Sequence, residues 1–534
     1  MLPTIEILIS LLAVIAAISV LARRLEVPPA ILLVAAGVAL ALIPGLPTVR
    51  LAPDFVLLFV LPPVIYSSAV AMDWREFRFN LRPISLLAVG CVAFTTVATA
   101  AAAHWILRLS WPEGFVLGAI VSPPDAVAPL SLARKMQIPR RILVVLEGEG
   151  LANDATALVL YRFAVGAVSA GVFSFDRAFG DFAAITIGEI LWGLAIGWLM
   201  LRLRRWVCDA SIEIMLSVLT PFVAYWPPQH LGGSGVLATV TAGLYISWNG
   251  LRLISAATRL QGVFFWRFLI YLIEGMVFLV TGLQARSLIA GSSSYSTSEL
   301  AISAAVVCAV VIAARFVWMY PATYIPRWLS PGLARRDPSP PWQWPFALAF
   351  TGVRGIVSLA AALAIPLVTE RGQPFPHRDL ILILTFAVIL VTLVGQGLLL
   401  PTVMRALGLA NAGRREHAAE RRQEFAARRE AIEAAEQRLE ALRRERDLPP
   451  DLVHALRLRL ADRLKYVGNK SDGDSDHEKL GRLDDDIKLQ LLSVERDTVN
   501  ELYRSGALHA EPRRRIEREL DLRDAQLEGL TDDE

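Results

Sequence analysis

EGEGLANDATALVLYRF, residues 147–163, lies inside a run that is otherwise apolar enough to cross a membrane, yet it carries Glu147, Glu149, Asn153 and Asp154. A carboxylate at bilayer depth costs about 2.5–3.5 kcal/mol on insertion scales, so an acid kept there marks a functional site. Working outward, Ser122-Pro123-Pro124-Asp125 sets another acid and two helix breakers in the preceding apolar segment. A proline inside a helix removes a backbone hydrogen bond and clashes with the turn before it, so two in a row unwind the segment. Downstream, Gly352-Val353-Arg354-Gly355 sets a lone arginine in a third apolar segment that Gly352, Gly355 and Pro366 loosen. The stretch therefore decides for an all-α membrane protein with broken helices.

Of 534 residues, 54% are hydrophobic, and the mean hydropathy is +0.48. The apolar residues come in runs near the ~20 residues that a spanning helix needs. Spans are expected at 5–22, 28–44, 55–72, 83–107, 113–133, 140–168, 182–203, 212–227, 233–248, 265–288, 299–320, 343–367 and 378–404, thirteen in all. The two interrupted segments lie seven spans apart. Paired interruptions in two halves of a chain point to a midplane site between inverted repeats, and an odd offset inverts the topology, although no repeat is visible in the sequence itself. One set of alternate loops, beginning with Arg23-Arg24, holds 18 basic residues and the other set 6. Basic loops face the cytoplasm, which puts the N-terminus outside and the C-terminal tail inside. Met1 to Leu21 has no basic leader and flows into Arg23-Arg24, so it reads as a first span rather than a cleaved signal.

The net charge of +3 conceals a division near residue 410. Residues 411–534 hold 25 basic and 30 acidic side chains, and the first 410 hold 28 and 20. The expected domains are thus a transmembrane domain, 1–410, and a cytoplasmic, mostly helical regulatory tail, 411–534. The tail's near balance argues against nucleic acid. Its helices are expected over 414–447, where Phe425, Ile432, Leu439 and Leu442 form a weak seam, over 487–503 and over 513–530, with a polar loop at 468–476. Any ligand of the tail is invisible in the sequence.

Asp154 is the acid around which a site would form. It can hold a charge or a proton, and Asn153, about 100° round the helix, offers a neutral oxygen of the kind hard cations favour. Desolvation disfavours the charged form of a buried carboxylate, so one such group holds a proton or a cation, not both. That competition with alternating access is cation/proton exchange. The alternative is a structural, capped carboxylate. Asp125 reads either as a second site acid or as a helix cap. Glu149 and Arg354 are expected to pair and brace the broken segments, since each alone is costly in lipid. Glu274 and Arg315 are the next intramembrane charges. Arg315 has either Glu274 or Glu213 as its candidate partner, while Glu213 and Glu189 also read as wet residues at span ends. His104 reads as core, and Cys91, Cys208 and Cys308 as small core residues without pairing. Trp105, Trp111, Trp226, Trp342 and Trp344 fall near span ends as interfacial anchors. The run Gly232-Gly233-Ser234-Gly235 has no lysine of a phosphate loop. With no metal-ligand spacing and no Ser/His/Asp arrangement, an enzyme reading has no support, and no cofactor is implied.

At these residues the chain resembles the monovalent cation:proton antiporters, in the branch of bacterial NhaP-type and animal NHE-type sodium/proton exchangers. The resemblance is carried by SPPDAVAPL at 122–130, PRRILVVLEGEGLANDATALVLYRFAV at 139–165, SGVLATVTAGLYIS at 234–247, GVRGIVSLAAALAIP at 352–366 and TLVGQGLLLP at 392–401. The tail segment VERDTVNELYRSGAL resembles that of one bacterial sub-branch. The resemblance implies about thirteen helices in inverted repeats, with broken helices crossing at Asp125 and a core moving against a dimerisation domain. It implies a homodimer in a bacterial inner membrane. It also implies Na+ bound at Asp154 with Asn153 as its partner, an Asn-Asp form associated with electroneutral exchange, and a Glu149–Arg354 pair.

The sequence departs from the family pattern in three places. Pro124-Asp125-Ala126 replaces Thr-Asp-Pro, Gly150 replaces a serine whose hydroxyl can ligate the cation, and Ser67 stands for a third-span glutamate. Pro123, Pro124, Gly150 and Ser67 thus shape the expected site, and the lost oxygens make it roomier. The reading is a sodium/proton antiporter moving Na+ or Li+ against H+. The alternatives are a potassium or broad monovalent cation/proton antiporter and, from another class, an ion or pH sensor with a signalling tail.

Overall fold

The computed structural model describes residues 2–25, 27–44, 52–170, 175–207, 209–250, 253–286, 288, 295–369, 372–446, 448–471, 475–505 and 507–531. Cys208 lies outside them. The chain divides into two compact units, Met1–Arg414 and Arg415–Glu534. Among the described residues the fold is helical, with a single β-bridge between Val368 and Pro374.

The first unit opens with α1 (Leu2–Leu25), α2 (Pro29–Ala41), α3 (Pro53–Ala71), α4 (Trp74–Phe79) and α5 (Leu81–Trp105). The site elements follow as α6 (Trp111–Val121), α7 (Val127–Lys135) and α8 (Arg140–Ala170). Next come α9 (Phe175–Arg204), α10 (Ala210–His230), α11 (Val236–Gly250), α12 (Ala256–Leu283), α13 (Thr297–Leu329) and α14 (Pro331–Arg336). A second broken pair, α15 (Gln343–Phe350) and α16 (Ile356–Leu363), precedes α17 (Arg378–Ala406).

By length and composition, eight helices among the described residues can cross a membrane. The remaining expected spans fall short of that measure for physical reasons. α2 and α11 have 13 and 15 residues, α6–α7 and α15–α16 are broken, and α8 carries the charges of 147–154.

Membrane helices pack through small residues that let backbones approach. Thus α2 and α12 cross at Gly37 and Gly282, where a Cβ on either would lie 2.8 Å from the other's Cα. Elsewhere, side chains satisfy carbonyls that proline releases. Pro62 has no N–H for the carbonyl of Leu58, and the indole N–H of Trp226 donates to it instead at 3.0 Å. The largest apolar core joins α1, α2, α6, α12, α16 and α17, which puts the broken helices at its centre.

Several lone charges prove to be structural. Glu189, 2% exposed, accepts from the backbone N–H of Ser234 at 2.5 Å, Gly235 at 3.0 Å and Leu237 at 3.0 Å. It caps α11 from α9, so the glycine-rich run cradles a carboxylate of the protein itself. The reading of Glu189 and Glu213 as wet span-end residues is therefore corrected, since Glu213 is 3% exposed. His104 stacks on Trp111 at 4.6 Å and its Nδ1 lies 2.8 Å from the Leu109 carbonyl, which is a packing role.

The second unit holds most of the helix Leu409–Arg446, followed by Pro450–Ser471, Ser475–Arg504 and Ala510–Thr531. Arg457 pairs with Glu440 at 2.9 Å, and Arg496 with Asp521 at 2.8 Å. The polar loop expected at 468–476 is helical up to Ser471 and again from Ser475. High polarity does not prevent a helix from forming.

Candidate functional site

The site begins with the chemistry of Pro123 and Pro124. Neither has an N–H, so the carbonyls of Ala119 and Ile120 lose their helical donors and α6 stops at Val121. The Ser122 hydroxyl donates to the Ala119 carbonyl at 3.2 Å. The chain is irregular from there to α7, and the Asp125 N–H donates to the Val353 carbonyl at 2.7 Å. That bond fixes the crossing of the two broken segments, because Val353 lies in the break between α15 and α16.

Two half-helices start at this crossing. The Asp125 carboxylate accepts from Val127 N–H at 2.9 Å, at the start of α7, and lies near the backbone N–H of Ile356, at the start of α16. One carboxylate thus faces two helix N-termini, where the positive ends of the dipoles favour a negative charge. The cap reading of Asp125 describes this geometry. Gly355 allows it, since a Cβ there would lie 2.5 Å from Asp125 Cγ.

Arg354 answers the same breaks from the other side. It is 1% exposed. Its Nε donates to the Val121 carbonyl at 2.9 Å and its Nη2 to Ser122 at 3.4 Å, while Nη1 meets the Gly352 carbonyl. Its backbone N–H donates to the Thr392 hydroxyl at 3.0 Å. A guanidinium fork thereby closes the last turn of α6.

The expected Glu149–Arg354 pair does not form, and this is a correction. Glu149 instead makes a two-pronged pair with Arg315, Nη1 to Oε1 at 2.5 Å and Nη2 to Oε2 at 2.8 Å, both residues being 1% exposed. Arg315 Nε and Nη2 also donate to the Leu348 carbonyl at 3.1 and 2.9 Å. The physical reason is that the freed carbonyls of α6 occupy Arg354, leaving Arg315 as the fork that matches the carboxylate. Neither Glu274 nor Glu213 pairs with Arg315.

Asn153 is 0% exposed and donates from Nδ2 to the Pro124 carbonyl at 2.6 Å. Its Oδ1 is buried with no hydrogen-bond partner among the described residues. Asp154, one residue on, is 9% exposed. Among the described residues no donor or cationic side chain pairs with its carboxylate.

A cavity of about 130 Å³ lies against this carboxylate. Asp125, Asp154 and Glu274 line it, with Gly150, Pro123 and Pro124, and apolar walls come from α3 and α12. It extends to the ion pair of Arg134 with Glu147, whose arginine is 58% exposed. The three acids do not converge into a metal-binding cluster among the described residues. Ser67 does not line the cavity, whereas its neighbour Ser68 does. The α3 helix turns about 100° per residue, so the sequence reading was one position off the lining face. Gly150 is not an open slot either, since a Cβ there would lie 2.8 Å from the Cβ of Ala126. Sequence reasoning gave Thr392 no role, although it opens the motif TLVGQGLLLP at 392–401 and its hydroxyl stands in the apolar run of α17.

A family model described as "Sodium/hydrogen exchanger, transmembrane" matches residues 9–406. An uncharacterised Na+/H+ exchanger of Mycobacterium tuberculosis is 35% identical over 533 residues, covering 98% of this chain and 96% of that protein. A sodium, potassium, lithium and rubidium/H+ antiporter of Bacillus subtilis is 32% identical over 407 residues, 73% of this chain and 60% of its own. The solved sodium proton antiporter MjNhaP1 of Methanocaldococcus jannaschii superposes with a TM-score of 0.58 at 17% identity, over 77% of this chain and 99% of that one. The chain belongs to the sodium/hydrogen exchanger family of monovalent cation:proton antiporters.

Proposed function

We propose that the protein is a secondary-active sodium/proton antiporter that exchanges one cation for one proton at Asp154 by alternating access. The observation that carries this reading is the Asp154 carboxylate, unpaired among the described residues and set against a cavity beside the partnerless Asn153 Oδ1. A proton neutralises the carboxylate, and a cation bound there displaces it. Either species leaves the site uncharged and able to move, while an empty carboxylate resists transfer through a low-dielectric barrier. One carboxylate with a neutral asparagine beside it favours electroneutral, one-for-one exchange. Asp125 sits between two helix N-termini and holds the crossing rather than carrying the load. Glu274, on α12, lines the same cavity and brings a second helix to the site.

The cavity reaches the Arg134–Glu147 pair, at the loop side that the basic-residue bias assigns to the cytoplasm. The conformation is accordingly inward-open, with the N-terminus outside and the tail in the cytoplasm of a bacterial cell. About thirteen spans in inverted repeats, a homodimer and a regulatory tail complete the reading.

A second reading, exchange of potassium and other monovalent cations, is favoured by Gly150. It supplies no hydroxyl, so water and backbone carbonyls complete the shell around the cation and discriminate less by size.

The test is a pH-sensitive dye in proteoliposomes with an imposed proton gradient. Sodium, lithium and potassium are added separately, with and without a potential clamp, to the unmutated protein and to Asp154→Asn. Sodium is expected to dissipate the gradient at a rate the clamp leaves unchanged, and Asp154→Asn to reduce it to background. Equal rates with potassium favour the second reading. Absence of any cation response rejects both and leaves a sensor.

A further inference from the structure

We propose that Arg82, Arg141 and Arg327 form a binding site for the phosphate of an anionic phospholipid headgroup, where α5 and α8 begin and α13 ends. The three guanidiniums surround one carboxylate. Arg82 Nη2 lies 2.7 Å from Asp337 Oδ2, Arg141 Nη1 lies 2.8 Å from Oδ1, and Arg327 Nη2 lies 2.8 Å from Oδ2. Three positive charges against one negative leave an excess of two at a place where Arg327 is only 6% exposed.

The donors are also in excess. An arginine offers five N–H groups, and Arg82 Nη1 is buried with no hydrogen-bond partner among the described residues. Arg141 is held in place by its own bond from Nε to Asn80 Oδ1 at 3.1 Å and by Phe79, whose ring centre lies 5.6 Å from the guanidinium carbon. The cluster is thus fixed and charged before any ligand arrives.

Beside it lies a cavity of about 50 Å³ with two kinds of wall. Arg82, Arg141 and Arg327 line one part, and Leu86, Met319 and Leu348 another. The surrounding surface repeats the division. Arg78, Arg335 and Arg336 are exposed, and so are Phe79 at 65%, Leu81 at 48% and Trp328 at 82%. A ligand that matches both halves carries a phosphate and acyl chains. Guanidinium forks suit phosphate oxygens, and basic pockets between membrane helices take anionic lipid headgroups. A free anion would leave the apolar half unused, so the lipid is the occupant to which the surface commits.

The position gives such a lipid a lever on transport. Arg141 is the second residue of α8, which carries Asp154, and Arg327 lies on α13, which carries Arg315. A bound headgroup would hold those two helices together at one end.

Thermal unfolding of the full-length protein in detergent tests the proposal. The additions are dioleoyl phosphatidylglycerol, dioleoyl phosphatidylcholine or inorganic phosphate alone. Phosphatidylglycerol is expected to raise the midpoint by about 5 °C over phosphatidylcholine, as a ligand specific to the folded state does, and inorganic phosphate to leave it unchanged. Arg82→Gln and Arg141→Gln should each lose at least half of that shift, while Arg75→Gln, at an exposed residue of α4 that lies over Trp248 and not in the cluster, keeps it. If Arg82→Gln fails to fold, Arg82→Lys serves, and native mass spectrometry should count fewer retained phosphatidylglycerol molecules than in the unmutated chain. An unchanged shift in both arginine variants overturns the site. A full shift from inorganic phosphate overturns the lipid as its occupant.

Discussion

Two buried acids five residues apart on α8 face opposite demands. Glu149 spends its charge on Arg315, and that pair ties α8 to α13. Asp154 has no such partner among the described residues, which frees its charge for a proton or a cation. Removing half of a buried pair strands the other charge, so Glu149→Gln should cost about 3–5 kcal/mol of stability. A double-mutant cycle read by thermal unfolding should show strong coupling between Glu149 and Arg315 and weaker coupling between Glu149 and Arg354. Asp154→Asn strands nothing, so it should unfold at or above the unmutated midpoint while transport is lost. Gly355→Ala should remove transport by pushing Asp125 from the helix N-termini, since its Cβ would meet that carboxyl group.

The acids themselves were legible in the sequence because a charge in an apolar run stands out. Their partners were not. Hydropathy does not separate Arg315 from Arg354, and the choice between them depends on carbonyls that only the folded breaks release. Ser67 and Ser68 differ by one position on a helix, and packing alone decides which one faces the cavity.

At the scale of the element, the two breaks are stable because each loose backbone group finds a donor or an acceptor. Asn153 supplies one, so Asn153→Ala should cost about 1–3 kcal/mol by leaving the Pro124 carbonyl unsatisfied, and it should lower the maximal exchange rate as the crossing loosens. Arg354→Lys cannot reproduce a fork that reaches Val121, Ser122 and Gly352. It should destabilise the protein despite keeping the charge.

Asp337 offers a pH-dependent check on another set of helix ends. Burial alone would raise its pKa, but Arg141 and then Arg327 and Arg82 hold the carboxyl below the usual carboxylate range. A depressed value means stability that is present at neutral pH and lost as the pH falls below the ordinary carboxylate range towards the depressed one. Thermal midpoints should therefore decline over that acid range, and Asp337→Asn should flatten the decline.

The breaks were visible in the sequence as Pro123-Pro124 and as Gly352 with Gly355. That they meet was an expectation drawn from the family, and the bond from Asp125 to Val353 is its physical form here.

On the scale of the whole molecule, periodicity and hydropathy located the helices of the membrane unit well, because a spanning helix must satisfy its backbone internally and bury its apolar length in lipid. They served less well in the tail, where charge hides helix on either side of a polar run, up to Ser471 and again from Ser475. The mycobacterial relative matches 98% of this chain, which takes in most of the tail. If it regulates exchange, a chain ended after Asn411 should still transport but with an altered pH dependence. An unchanged profile would assign the tail another role.

The central claim is that a proton and a cation compete for one carboxylate. It is tested most directly by initial exchange rates in proteoliposomes, measured against sodium concentration at a series of pH values. The account predicts that the half-saturating sodium concentration rises by about tenfold for each unit of acidification once the site is mostly protonated, with the maximal rate unchanged. A half-saturating concentration that does not move with pH, together with a falling maximal rate, would contradict it and place proton and cation at separate sites.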